Sequence, residues 1–81
     1  RFNPRTEFTI SIPERSHVVV NIYNILGRKV ASLAEGEYTA GRYRMEWTGK
    51  TDVNAVAPSG VYLLVVQAGN DMITHKMIMM K

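Results

Sequence analysis

His17 and His75 are the only imidazoles in the chain, so general base or metal chemistry built on histidine would have to start from them. Each falls in or beside a β-branched run, and neither sits in HExxH or any other ligand spacing. A solvated position on a sheet face is the expectation for both. Ser59-Gly60 suggests a nucleophile, but a nucleophile elbow needs Gly two residues before and two residues after the serine, and Ala57 and Val61 occupy those places. Asp52 and Asn54 offer oxygens for calcium, yet the loop lacks the dense ligand spacing and closing Glu of an EF-hand. The aromatics Phe2, Phe8, Tyr23, Tyr38, Tyr43, Trp47 and Tyr62 could furnish a sugar platform; Phe8, Tyr43 and Trp47 lie on the apolar side of their strands, where core packing is the cheaper account. These residues together predict a chain that is not an enzyme and has no cofactor or metal site.

Composition narrows the partners. The net charge of +3 comes from ten Lys and Arg against seven Asp and Glu, scattered without the basic stripe of a nucleic-acid binder. With no cysteine, a disulfide framework or thiolate metal site is excluded and packing alone must hold the fold. No apolar run approaches the length of a membrane-spanning helix. The chain opens at Arg1 rather than Met, and a piece of a longer polypeptide is expected.

The elements that must position any surface are strands. Residues 1–5, with the Asn3-Pro4 turn signal, read as the end of a linker, and 6–81 as one β-sandwich domain. Phe8, Ile10 and Ile12 alternate with Thr9 and Ser11 until Pro13 removes a ladder donor. Val18, Val20 and Ile22 follow in a second strand. Asn24-Ile25-Leu26-Gly27-Arg28 then has the length and the Gly of a tight hairpin turn, with residues 29–33 as the returning strand and 35–41 as a polar loop. Tyr43, Met45 and Trp47 alternate with Arg42, Arg44 and Glu46, the pattern of an antiparallel sheet with one wet face.

Residues 48–59 form a long loop in which Ala55-Val56-Ala57 could add a brief edge strand. Val61 to Val66 is predicted to be a strand buried on both faces, turning at Gly69-Asn70-Asp71 into the Met-rich run 72–81. Register in that last run is weakly specified, because both of its faces are half apolar. About seven strands at such spacing predict an all-β, immunoglobulin-like antiparallel sandwich.

In order along the chain, Asn3-Pro4, Val18 through Tyr23-Asn24-Ile25-Leu26-Gly27-Arg28-Lys29-Val30, Ala40-Gly41, Trp47-Thr48-Gly49, Ser59-Gly60-Val61-Tyr62, Gly69 and Lys76-Met77-Ile78 resemble the type A C-terminal sorting domain of the type IX (Por) secretion system. The resemblance implies a secretion signal from the Bacteroidetes lineage that directs a cargo, attached before Arg1, across the outer membrane. The implied partners are the type IX machinery and a sortase-like peptidase that removes the domain and attaches the cargo to the cell surface. The implied location is the periplasm in transit, then the outer membrane surface or the medium. Translocon recognition maps onto Lys76, Met77, Ile78 and Lys81, and structural motif positions onto Gly27, Gly41, Trp47, Ser59, Gly60, Val61 and Tyr62. Thr48 and Asn54 depart from the pattern, which more often has Asp and Gly there.

The alternative is an accessory immunoglobulin-like module for adhesion or carbohydrate contact, or the related sandwich domain of flagellar hook-capping proteins, which shares the Gly-Val-Tyr strand. An exposed terminal strand also allows an edge-paired dimer.

Overall fold

In the computed structural model, which describes residues 5–80, six strands form two antiparallel sheets. They are β1 (Thr6–Ile12), β2 (Ser16–Asn24), β3 (Lys29–Tyr38), β4 (Gly41–Trp47), β5 (Gly60–Ala68) and β6 (Asp71–Met79). A four-stranded sheet has the order β3-β2-β5-β6, and β1 pairs with β4 in a two-stranded sheet that packs over it. The expected all-β immunoglobulin-like sandwich is therefore present. Residues 55–57 add no seventh strand; they contribute one isolated bridge, Lys50 to Val56.

Alternation decides which side chains enter the core. Val18, Val20 and Ile22 of β2 are completely shielded, because β2 is flanked by β3 and β5 and faces the second sheet. Tyr62, Leu64 and Val66 continue the same face on β5, and Ile10, Ile12 and Trp47 close it from the other sheet. Each aliphatic side chain so buried is worth ~1.5–3 kcal/mol in transfer free energy. On β5 the intervening Val61, Leu63 and Val65 are half-buried, so the prediction of burial on both faces holds for one face only. A two-layer sandwich has nothing to lay over the outer face of its larger sheet.

β3 runs five residues further than the alternation of 29–33 predicts. Glu35, Gly36 and Glu37 looked like loop, yet they pair with Val19, Val18 and His17 across the ladder. An edge strand tolerates this composition, because its charged side chains point to water while its backbone is paired on one side. Register shifts at Val20/Asn21 and Ile22/Tyr23 accommodate the extra residues of β3.

The long loop is held by both sheets. The Trp47 indole N–H donates to the Lys50 carbonyl at 2.9 Å, and the Tyr62 hydroxyl donates to the Pro58 carbonyl at 2.6 Å. The two rings meet edge to face at 5.0 Å. Asp52 covers part of the free edge of β3, accepting the Ser32 N–H at 2.9 Å while its own N–H donates to the Val30 carbonyl at 3.1 Å. Asn54 adopts φ 64°, the left-handed region that Gly and Asn enter at least cost.

Candidate functional site

Of the recognition residues expected on the terminal strand, Lys76, Met77 and Ile78 do not share one face. In β6, Met77 is buried against the core while Lys76 and Ile78 are exposed on the opposite face. Lys81 lies outside the described residues. The structural motif positions map more directly onto the fold. Gly27 takes φ 84° in the β2–β3 turn, Gly41 and Gly60 begin β4 and β5, exposed Ser59 precedes β5, and Val61 is half-buried on its outer face. Trp47 and Tyr62 are the core pair that fixes the long loop.

The candidate reacting groups do not converge. His17 is exposed, 3.7 Å from Glu37, and His75 is exposed on β6, far along the chain from any second imidazole. Among the described residues no group of three or more His, Asp or Glu could hold a metal ion. Asp52, the candidate calcium ligand, uses its carboxylate on the Ser32 amide instead. Phe2 lies outside the described residues, and among the described aromatics Tyr38 and Tyr43 pack edge to face at 4.9 Å, with the Tyr43 hydroxyl donating to the Thr39 carbonyl at 2.7 Å.

The strongest electrostatic feature lies on the outer face of the two-stranded sheet. Arg5 reaches Glu7 at 2.8 Å and Glu46 at 3.1 Å, and Arg44 reaches Glu7 at 2.9 Å. Hydrogen bonds from Arg5 and then Arg44 hold the Glu7 carboxyl below the usual carboxylate range. All of these groups are open to solvent, so the network orients side chains across β1 and β4 without creating a reactive centre.

Two other surfaces are built rather than incidental. The first is the β2–β3 turn, where Ile25 and Leu26 are 73% and 78% exposed. The Asn24 side-chain oxygen accepts the Leu26 and Arg28 amides at 2.9 and 3.0 Å, and the Asn24 N–H donates to the Arg28 carbonyl at 2.9 Å. A turn bonded in this way displays its two aliphatic side chains in a fixed arrangement. The second is a groove of about 480 Å³ between β1 and the β5–β6 hairpin, lined by Phe8, Ile10, Pro13, Val66, Ile73 and His75 among others. Ile73 shares the inward face of β6 with buried Met77, yet is 64% exposed, because the two-stranded sheet stops at β1. Sequence reasoning treated residues 24–28 only as a turn. The available signal was a pair of aliphatics where turn positions favour Asn, Asp and Gly.

Residues 2–72 match the family model described as FlgD Ig-like domain. The chain belongs to that family. The FlgD Ig-like assignment is joined by a structural match to the crystal structure of FlgD from P. aeruginosa, with a TM-score of 0.70 and 26% sequence identity over 93% of this chain. The match covers 59% of that FlgD chain, so this domain spans well under two thirds of it. No curated protein matches the sequence.

FlgD Ig-like membership overturns the resemblance to a type IX sorting domain. With it go the secretion-signal function, the type IX machinery and sortase-like peptidase as partners, the cargo set before Arg1 as its object, and the Bacteroidetes assignment. The adhesion or carbohydrate alternative gains nothing from the matches either. The physical reason for the error lies in which residues carried the resemblance. Gly27, Gly41, Trp47, Gly60 and Tyr62 meet demands of the sandwich itself, namely turns, strand starts and a loop clamp. A FlgD Ig-like domain has the same demands, so these positions identify the fold and cannot tell an address from a structural module.

Proposed function

We propose that this domain is a non-catalytic structural module of a FlgD-type scaffold in flagellar hook assembly, holding and presenting contact surfaces. The observation that carries the reading is the family match over residues 2–72, supported by the FlgD superposition over 93% of the chain. The site chemistry agrees with it: Asp52 of the long loop and Asn24 of the β2–β3 turn are spent on backbone amides, and the charged cluster around Glu7 is open to solvent. Rigid turns and packed aromatics suit a part that must keep its shape under load from its neighbours. The expected location, the periplasm in transit and then the outer membrane surface or the medium, belongs to this proposal as well.

The test is an in-frame deletion of residues 5–80 from the full-length protein in its own host. Loss of hook assembly, scored by electron microscopy and swimming, is the expected result, with stable accumulation of the truncated protein checked by immunoblot. Normal hooks in cells carrying the truncated protein would overturn the assignment. A point variant that unfolds the sandwich, Val20→Asp, should reproduce the deletion phenotype.

A further inference from the structure

The turn and the groove stand at opposite ends of the same sheet. Asn24 pairs with Tyr62 near the start of β5, so the turn projects beyond that end, whereas the groove involves Leu64, Val66 and Ala68 toward the other. No single copy can place its own turn in its own groove. The turn offers two exposed aliphatic side chains followed, after Gly27, by the exposed cations Arg28 and Lys29. The groove offers an apolar floor whose rim carries Asp71, with Glu14 next along the chain from the lining residue Pro13. Arg15, the cation adjoining that rim, is engaged by Glu37 at 3.4 Å. The groove's volume falls within the ~300–1,000 Å³ typical of ligand-binding clefts.

We propose that the domain associates head to tail with a second copy of itself. Ile25 and Leu26 of one copy enter the groove between β1 and β6 of the next, and Arg28 and Lys29 face Asp71 and Glu14. The occupant is specified by complementarity at both levels. The apolar groove matches an apolar turn rather than a charged one, and the acidic rim matches the basic flank. Ile73 explains why the groove needs an occupant: it is an inward residue left without a facing layer.

Because plug and socket are different surfaces, the contact is heterologous and can repeat from copy to copy, giving chains or rings rather than a closed pair. A contact of this size is weak and transient in free solution, in the ~0.1–1 mM range, and strengthens where copies are held close together. The inference goes beyond the functional reading above and depends only on the surface of the folded domain, so it stands or falls separately from hook assembly.

The experiment is sedentary in design: analytical ultracentrifugation of the protein from ~0.02 to ~1 mM, with amide chemical shifts followed over the same range. The expected result is a weight-average mass that climbs past that of a dimer, with shifts moving at Ile25, Leu26, Phe8 and Ile73. Ile25→Asp/Leu26→Asp removes the plug and Ile73→Lys blocks the socket. All three positions are exposed, so both variants keep the wild-type circular dichroism spectrum and each alone is monomeric.

Mixing the two variants is the decisive step. The plug-less copy retains a socket and the socket-less copy retains a plug, so the mixture forms a 1:1 dimer that grows no further. Raising salt from 0.05 to 0.5 M weakens wild-type association several-fold, in keeping with charge complementarity at the rim. A wild-type protein that stays monomeric at ~1 mM overturns the proposal. So does a dimer that stops at two copies and survives both variants, which is the behaviour of strands pairing edge to edge, and so does a variant mixture that fails to associate.

Discussion

Replacing Asn24 with Ala tests whether the β2–β3 turn is held by its side chain or by its backbone. In the native turn the Asn24 oxygen accepts two amides, from Leu26 at 2.9 Å and Arg28 at 3.0 Å. A typical intramolecular hydrogen bond contributes ~0.5–1.5 kcal/mol net. Both acceptor contacts lie near solvent, so water replaces part of each in the variant, and the combined loss is put at about 1–2 kcal/mol. The backbone bonds from Gly27 N–H to the Asn24 carbonyl and from Asn24 N–H to the Arg28 carbonyl remain, both at 2.9 Å.

For a domain this small, 1 kcal/mol moves the melting temperature by ~4–8 °C, so a drop of about 4–16 °C is expected. Urea denaturation should show a lower midpoint at unchanged slope, because the same surface is exposed on unfolding. Asn24→Asp keeps the oxygen that accepts both amides and adds a negative charge beside Arg28, and should melt within about 2 °C of the wild type. An Asn24→Ala protein within ~0.3 kcal/mol of wild type would refute the cap, as would an Asp variant as unstable as the Ala variant.

Three further outcomes follow from the same geometry. Tyr62→Phe keeps the ring against Trp47 but strips the donor from the Pro58 carbonyl; a loss of about 1–2 kcal/mol is expected by urea denaturation, with faster hydrogen exchange across residues 48–59. Met77→Ala should cost about 2–4 kcal/mol through the cavity it opens, whereas its exposed neighbour Lys76→Ala should stay within ~0.5 kcal/mol, and equal losses at both would contradict the inward placement of Met77. The carboxyl of Glu7 is held low by Arg5 and Arg44, so its contribution is fully present above the ordinary Glu range and fades as pH falls through its depressed value. Glu7→Gln should therefore be less stable than wild type at pH 7, the gap narrowing below pH ~4 and at high salt, and a gap that widens on acidification would sink the ion-pair account.

How far the fold was legible depends on how local its causes are. β1, β2 and β4 follow from alternation within their own sequences, as at Tyr43, Met45 and Trp47, β5 follows from its continuous apolar run, and the turn at Gly27 follows from its need for positive φ. The extension of β3 through Glu35-Gly36-Glu37 was not legible, because the decisive factor is a free partner edge on β2, which local composition does not encode. Docking of Asp52 on the Ser32 amide spans twenty residues and looks in sequence like any acidic loop position. The open groove was hidden for a third reason. Ile73 is apolar and on the inward face, so pattern reasoning buries it; only the count of strands in the facing sheet shows that nothing covers it.

Register in β6 is the clearest case of a turn deciding what side-chain pattern cannot. Met72, Ile73, Met77, Ile78 and Met79 would satisfy either face, yet the pairing runs unbroken from Ala68↔Asp71 to Gly60↔Met79. The two residues between the strands are Gly69 and Asn70, and Gly69 alone of the pair has positive φ, at 60°, the arrangement of a two-residue hairpin turn with glycine first. The Gly69 N–H also donates to the His17 carbonyl at 3.1 Å, anchoring the turn to β2. Once that turn closes, period-2 alternation sends Met77 and Met79 inward and Ile78 outward. Gly69→Ala meets no severe clash, its Cβ lying 3.8 Å from the Ser16 hydroxyl oxygen, so its cost is the ~1–2 kcal/mol of left-handed backbone for a residue with a side chain. Inserting one Gly after Gly69 should do something different in kind: a one-residue slip exchanges the faces of β6 and exposes Met77. Methyl NMR then reads the distinction, with Met77 and Met79 shifts native in Gly69→Ala and displaced toward solvent-exposed values in the insertion variant. Native methionine shifts in the insertion variant would mean that the core, and not the turn, selects the register.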